Sequence, residues 1–284
     1  MAATLSAQHR NNLVAFLSEF AGTFLFLFFA FSGTALANTY AATTPPLITL
    51  IFIALSFGLS LAANVWAFYR VSGGMFNPAI TLALFLVGGL PWLRGLVVIV
   101  AQLLGGMAAA GVVSGLFPGD MAVDTALGGG TSVAQGLFIE VFLTTELVFV
   151  ILMLAAEKHK ATFVAPVAIG TAFFLTQLVG MIPIFSFRCN LPTLEGADDA
   201  NSSQGVHFTG GSLNPARSLG PAVVLGRWPE YFWIYFLGPI MGASLASAFY
   251  SLLGYLRWKE CNPGQDWDGE KLQTEKRPDD SDSC

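Results

Sequence analysis

Gly73-Gly74-Met75-Phe76-Asn77-Pro78-Ala79 and Gly210-Gly211-Ser212-Leu213-Asn214-Pro215-Ala216 share one pattern, Gly-Gly-x-x-Asn-Pro-Ala. Each copy reads as the opening of a helix. Asn is a strong N-cap, because its side-chain oxygen accepts from the orphaned N–H groups of the first turn. Pro at the first helical position lacks an N–H that would go unused there, and its fixed φ already suits a helix. With the oxygen occupied, the Asn NH2 is left as a donor. Two such helices meeting tip to tip inside a membrane would set two NH2 donors side by side. Such a place suits a neutral, hydrogen-bonding molecule.

The surroundings of both copies are apolar. Hydrophobic residues make up 54% of the chain and charged residues only 11%, where a soluble domain carries about 25% charged residues. Six segments reach the roughly 20 residues a span requires: Leu13–Leu36, Leu47–Phe68, Trp92–Phe117, Val133–Ala156, Phe163–Phe185 and Tyr231–Leu256. The segments opened by the two motifs, Asn77–Val87 and Asn214–Leu225, reach about half that thickness and read as half-helices. The expected fold is therefore an all-α membrane protein of six transmembrane helices plus two half-helices. The first apolar run is too long for a cleavable signal and is expected to stay. The net charge of −5 comes largely from loops and tail and gives no reason to expect a nucleic-acid partner.

Charge sets the orientation. With both termini inside, Arg10, Arg70, Arg94, Lys158, Lys160, Arg257, Lys259, Lys271, Lys276 and Arg277 lie in the cytoplasm, against Arg188, Arg217 and Arg227 outside. The chain also repeats itself. Glu19 and Glu140 are 121 residues apart and the motif asparagines 137, which gives repeat one at about 13–117 and repeat two at about 133–256. Three spans per repeat force the copies to be inverted, and broken helices at membrane depth imply a central pathway. Residues 13–257 form the membrane domain; 1–12 and the acidic 258–284 read as disordered cytoplasmic ends. Gly105, Gly106, Gly111, Gly238 and Gly242 mark close helix packing. Glu19 and Glu140, carboxylates at membrane depth, read as braces that accept N–H bonds from the half-helix loops, with a proton relay as the other reading. Glu146 is expected to brace similarly or to line an interface.

Extended to Gly73–Thr81 and Gly210–Pro221, the two motifs resemble the signature loops of aquaporins, and the resemblance runs from about Leu13 to Leu256. The Gly-rich stretches and the Glu157-Lys158-His159-Lys160 loop resemble fungal members. The resemblance implies a pore in each protomer, a homotetramer, most naturally in the plasma membrane, and no cofactor. It implies a selectivity constriction at Phe57, Gln177, Gly211 and Arg217. Gln177 departs from the family, whose water-selective members usually carry His there and whose glycerol facilitators carry Gly; Gln both donates and accepts. Phe57, Ser218, Ala222, Tyr235 and Phe236 are the types seen in water channels. Carbonyls of Gly73, Gly74, Met75 and Phe76, and of Gly210, Gly211, Ser212 and Leu213, would form an acceptor track.

The expected function is passive conduction of water with exclusion of protons and ions; glycerol, hydrogen peroxide or another small neutral solute is the alternative. Ions lose hydration in a narrow apolar tube, while paired Asn donors and two helix N-termini break a proton wire and repel cations. No nucleophile–base set or metal cluster supports an enzyme, and three scattered cysteines match no disulfide or metal spacing. His159 is a candidate pH gate, since histidine titrates near neutrality. Asn201-Ser202-Ser203 fits the N-glycosylation pattern in an outer loop. Gly211 stands where some water channels carry Cys, so weak inhibition by mercurials is expected.

Overall fold

A computed structural model describes residues 6–119, 121–180 and 208–262. The described regular structure is helical: α1 (Ala7–Thr39), α2 (Pro46–Phe68), α3 (Pro78–Leu86), α4 (Trp92–Leu116), α5 (Val133–Ile151), α6 (Ala165–Gly180), α7 (Pro215–Leu225) and α8 (Ile234–Tyr255). A π-turn at Leu152–Ala156 extends α5, and short 3-10 helices cover Lys160–Val164 and Trp258–Glu260. Six of these segments are long and apolar enough to cross a membrane. The other two, α3 and α7, are the half-helices.

The first span begins six residues earlier than expected. Ser6 accepts the N–H of His9 and caps α1, so the polar stretch from Ala7 to Asn12 is helical rather than disordered. At the other end, Trp258–Glu260 forms a 3-10 turn, and its Lys259 pairs with Glu157. The C-terminal residues 263–284 lie outside the described residues.

The packing follows the repeat. In the first half α1 packs on α4 and on α2; in the second, α5 packs on α8 and on α6. Gly105 and Gly242 make the equivalent close approaches: a Cβ on Gly105 would lie 2.7 Å from the Phe20 carbonyl, and one on Gly242 2.5 Å from that of Val141. The helix α2 packs against α6 and joins the halves. Each half-helix also crosses over, α3 nesting on α8 and α7 on α4, so each half supplies the wall for the other's broken helix. Gly106 lets α7 approach, since a Cβ there would sit 2.5 Å from the Ala216 carbonyl. Gly111 differs from expectation: it faces open space and packs against nothing. Its neighbours Ala110 and Val113 are buried, so Gly111 lies on the outward face of α4 rather than on the face that packs.

Candidate functional site

The two half-helices begin as their sequences dictate. Asn77 Oδ1 accepts from the N–H of Ala79 and Asn214 Oδ1 from that of Ala216, each at 2.9 Å. The loops leading into them are conformational copies. Gly73, Gly74 and Phe76 have φ of 102°, 63° and 50°; Gly210, Gly211 and Leu213 have 77°, 59° and 52°. Glycine takes such angles freely, whereas Phe76 and Leu213 are strained by them. External partners hold both. Glu19 accepts from the N–H groups of Met75 (3.1 Å) and Phe76 (2.8 Å). Glu140 accepts from those of Ser212 (3.0 Å) and Leu213 (2.8 Å).

The left-handed turn aims the Phe76 and Leu213 carbonyls across the repeat boundary. Asn77 Nδ2 donates to the Leu213 carbonyl at 2.8 Å, and Asn214 Nδ2 donates to the Phe76 carbonyl at 2.9 Å. The sequence alone suggests two fully free NH2 groups. Each instead commits one N–H to the opposite loop, and one N–H of each amide remains. The acceptor track is also partly committed: the Phe76 and Leu213 carbonyls accept an Asn, that of Gly210 accepts Arg217, and that of Gly211 accepts Gln177.

Phe57, Gln177, Gly211 and Arg217 come together on one side of the asparagines. Gln177 Nε2 donates to the Gly211 carbonyl at 2.9 Å. A Cβ on Gly211 would lie 2.6 Å from Gln177 Oε1. Arg217 donates through Nη1 to the Val123 carbonyl (2.6 Å) and through Nη2 to that of Gly210 (3.1 Å). Its guanidinium lies over the rings of Phe57 and Phe31, 5.2 and 5.8 Å from their centroids. Phe57 itself stands edge-on to Phe26, Phe31 and Phe173. Gln177 Oε1 and Arg217 Nε are buried without a partner. The cluster thus offers one acceptor and one donor against an aromatic wall.

Several contributors escaped the sequence reading. Gln102, a lone amide in an apolar span, donates to Glu19 at 2.9 Å and bonds Thr81; its polarity there is a signal that could have found it. Ser72 donates to Glu19 at 2.6 Å. The carbonyl of Val123 in a non-helical loop carries no side-chain signal at all. Glu146, by contrast, is exposed on α5 and braces neither loop.

At the opposite end, a cavity of about 300 Å³ is lined by Leu61, Tyr69, Gly73, Met75, Ile80 and Lys158, among others. His159 lies near this end as an N-cap: its Nδ1 accepts the Ala161 N–H at 3.1 Å, and Thr162 Oγ1 accepts the His159 N–H at 2.9 Å. Asn201 and Cys189 lie outside the described residues.

The family model for the major intrinsic protein matches residues 6–190 and 199–250. The chain belongs to the major intrinsic protein family. Members of that family are channels rather than enzymes. The chain is 52% identical over 266 residues to Aquaporin-7 of Botryotinia fuckeliana, covering 90% of this chain and 53% of that protein. It is 45% identical to Probable aquaporin-3 of Gibberella zeae, over 90% of this chain and 83% of that one. The chain thus spans about half the length of the first relative. The X-ray structure of the aquaglyceroporin from Plasmodium falciparum superposes with a TM-score of 0.65 at 21% identity, covering 84% of this chain and 95% of that one. That likeness shows the shared fold. The family and the six apolar helices make this a multi-pass integral membrane protein of the aquaporin fold.

Proposed function

We propose that the chain forms a transmembrane pore that conducts water down an osmotic gradient and refuses protons and ions. The observation that carries this reading is the reciprocal bonding of Asn77 and Asn214. One N–H of each amide is spent on the opposite loop, and the two that remain donate to a single passing molecule. A water held by two donors turns its own hydrogens outward, which interrupts a proton wire. The N-termini of α3 and α7 add positive potential at the same place, and Arg217 adds a fixed charge at the constriction.

Selection for water over glycerol rests on Phe57, Gln177 and Arg217, all fully buried around Gly211. The Gln177 amide lies close against Gly211, and this larger side chain in place of Gly favours water over a longer polyol. Its free Oε1 and the free Nε of Arg217 match a molecule that both donates and accepts. Glycerol, hydrogen peroxide and ammonia are the competing solutes. Both termini cytoplasmic, a homotetramer in the plasma membrane, and Glu19 and Glu140 as braces complete the proposal, with the channel domain at 13–257. The test is stopped-flow shrinkage of proteoliposomes, first in sucrose and then in glycerol. Fast water efflux with glycerol entering at the lipid background is the expected result. Glycerol flux well above empty liposomes would overturn the selectivity, and water flux at background would overturn the function.

A further inference from the structure

The turn that follows α5 carries two adjacent side chains, Glu157 and Lys158, whose partners lie on different elements. The helix α5 does not stop cleanly: it widens into the π-turn Leu152–Ala156, a form common at functional positions because it disturbs the regular ladder. Two side-chain donors converge on the Ala155 carbonyl in this turn, Lys158 Nζ at 2.6 Å and the Tyr69 hydroxyl at 3.1 Å. Lys158 also donates to the Tyr69 hydroxyl at 2.9 Å and lies over its ring, 5.1 Å from the centroid. Tyr69 caps the end of α2, and both it and Lys158 line the 300 Å³ cavity that leads toward Gly73 and Met75. Lys158 is therefore an ammonium pinned flat against the wall of the inner mouth.

Its neighbour faces away. Glu157 accepts from the Tyr250 hydroxyl on α8 and from Lys259 Nζ at 2.8 Å, and Lys259 sits in the 3-10 turn at the root of the C-terminal tail. Adjacent residues on a two-residue strap thus hold the tail root and the mouth of the cavity.

We propose that Glu157 is a positioning residue that keeps the inner mouth open by holding Lys158 against its wall, and that the tail root controls flux through this link. When Lys259 and Tyr250 release Glu157, the π-turn loosens, the Ala155 carbonyl turns away, and the long Lys158 side chain swings into the mouth. The effect on water flux rests on the water-channel reading above; the movement of Lys158 does not.

The experiment therefore has two arms on the full chain in proteoliposomes. In the first, unit water permeability is measured for wild type, Glu157→Gln, Tyr250→Phe, Lys158→Met and the double variant Glu157→Gln/Lys158→Met. Expected is a loss of about threefold or more in Glu157→Gln, a smaller loss in Tyr250→Phe, and recovery in the double variant to the Lys158→Met level. A merely structural role for Glu157 would leave the double variant as slow as the single one, and that result would overturn the proposal. In the second arm, the rate at which an amine-reactive reagent modifies Lys158 is followed by mass spectrometry of its peptide. It should rise about threefold or more in Glu157→Gln and in Tyr250→Phe. Equal rates in all three proteins would overturn the link whatever the pore conducts. Wild-type flux at background, with the labelling change intact, would count against the water reading alone.

Discussion

Replacing Gly211 by Ala tests the constriction most directly, because one methyl group acts on two features at once. The first is backbone: φ at Gly211 is 59°, a region that costs an L residue about 1–2 kcal/mol. The second is contact. The new Cβ would lie 2.6 Å from Gln177 Oε1 and 3.1 Å from Cδ, so ordinary contact at about 3.4 Å requires the amide to retreat by about 0.8 Å. Gln177 cannot retreat and keep its 2.9 Å bond to the Gly211 carbonyl. A buried amide that loses its partner costs about 1–3 kcal/mol, giving about 2–5 kcal/mol of destabilisation in all. The displaced amide moves toward Phe57 and Arg217, across the path. A barrier higher by about one hydrogen bond, roughly 1.4 kcal/mol, slows passage about tenfold. Stopped-flow light scattering at matched protein incorporation measures this directly. The double variant Gly211→Ala/Gln177→Ala removes the amide that the methyl strikes, and should recover most of the water flux while admitting glycerol. Unchanged water flux in Gly211→Ala, or a double variant no faster than the single, refutes the claim that the Gln177 amide sets the aperture.

Three further outcomes are expected. Glu140→Gln replaces one of the two oxygens that hold the Ser212 and Leu213 N–H groups by a donor, so thermal stability should fall by about 1–3 kcal/mol and water flux with it; a fully stable, fully active variant would remove the bracing role. The Glu157 carboxyl is held below its usual 4.5, chiefly by the hydrogen bond from Lys259 and next by that from Tyr250. A depressed carboxyl contributes above its unfolded value and is lost only as pH falls through the folded one, so this clamp survives down to about pH 4.5. Water flux of His159→Ala should accordingly stay flat from about pH 8 to pH 5; a fall inside that window would sink this assignment. Mercurials should inhibit weakly, because Gly211 presents no thiol and Cys261 is exposed at the tail root, far along the chain from the constriction; strong block reversed by thiol would implicate Cys189.

The spans and half-helices were legible because run length and capping are local. An apolar stretch declares its span by its own length, and Asn-Pro declares a helix start within two residues. The clustering of Phe57, Gln177, Gly211 and Arg217 was expected from a family resemblance, and the four residues do meet. What Gln177 does there was not legible. Its amide is turned by a single carbonyl 34 residues away, and nothing near Gln177 in sequence encodes that. The start of α1 was misjudged because polarity outweighed the Ser6 cap, and a polar helix extending past a membrane surface reads locally as coil. Lys158 escaped for a related reason. A lysine between Glu and His in a short loop resembles any solvated turn, and only the Tyr69 ring and the Ala155 carbonyl give it a place.

The cross-repeat bonds explain why Phe76 and Leu213 share a strained backbone although their side chains differ. In the left-handed region each costs about 1–2 kcal/mol. Yet each has both of its backbone polar groups fixed from outside. The N–H of Phe76 goes to Glu19 and that of Leu213 to Glu140, while each carbonyl accepts the asparagine of the other repeat. A net hydrogen bond contributes about 1 kcal/mol, and about 1.5–3 kcal/mol when one partner is charged. Two such bonds per residue, one to a carboxylate, outweigh the strain. The αL turn is thus maintained by residues in both halves, the carboxylate from its own repeat and the asparagine from the other. It follows that the aim of the asparagines is set only when the two repeats close on each other. A lesion in one loop must therefore disturb the donor contributed by the other.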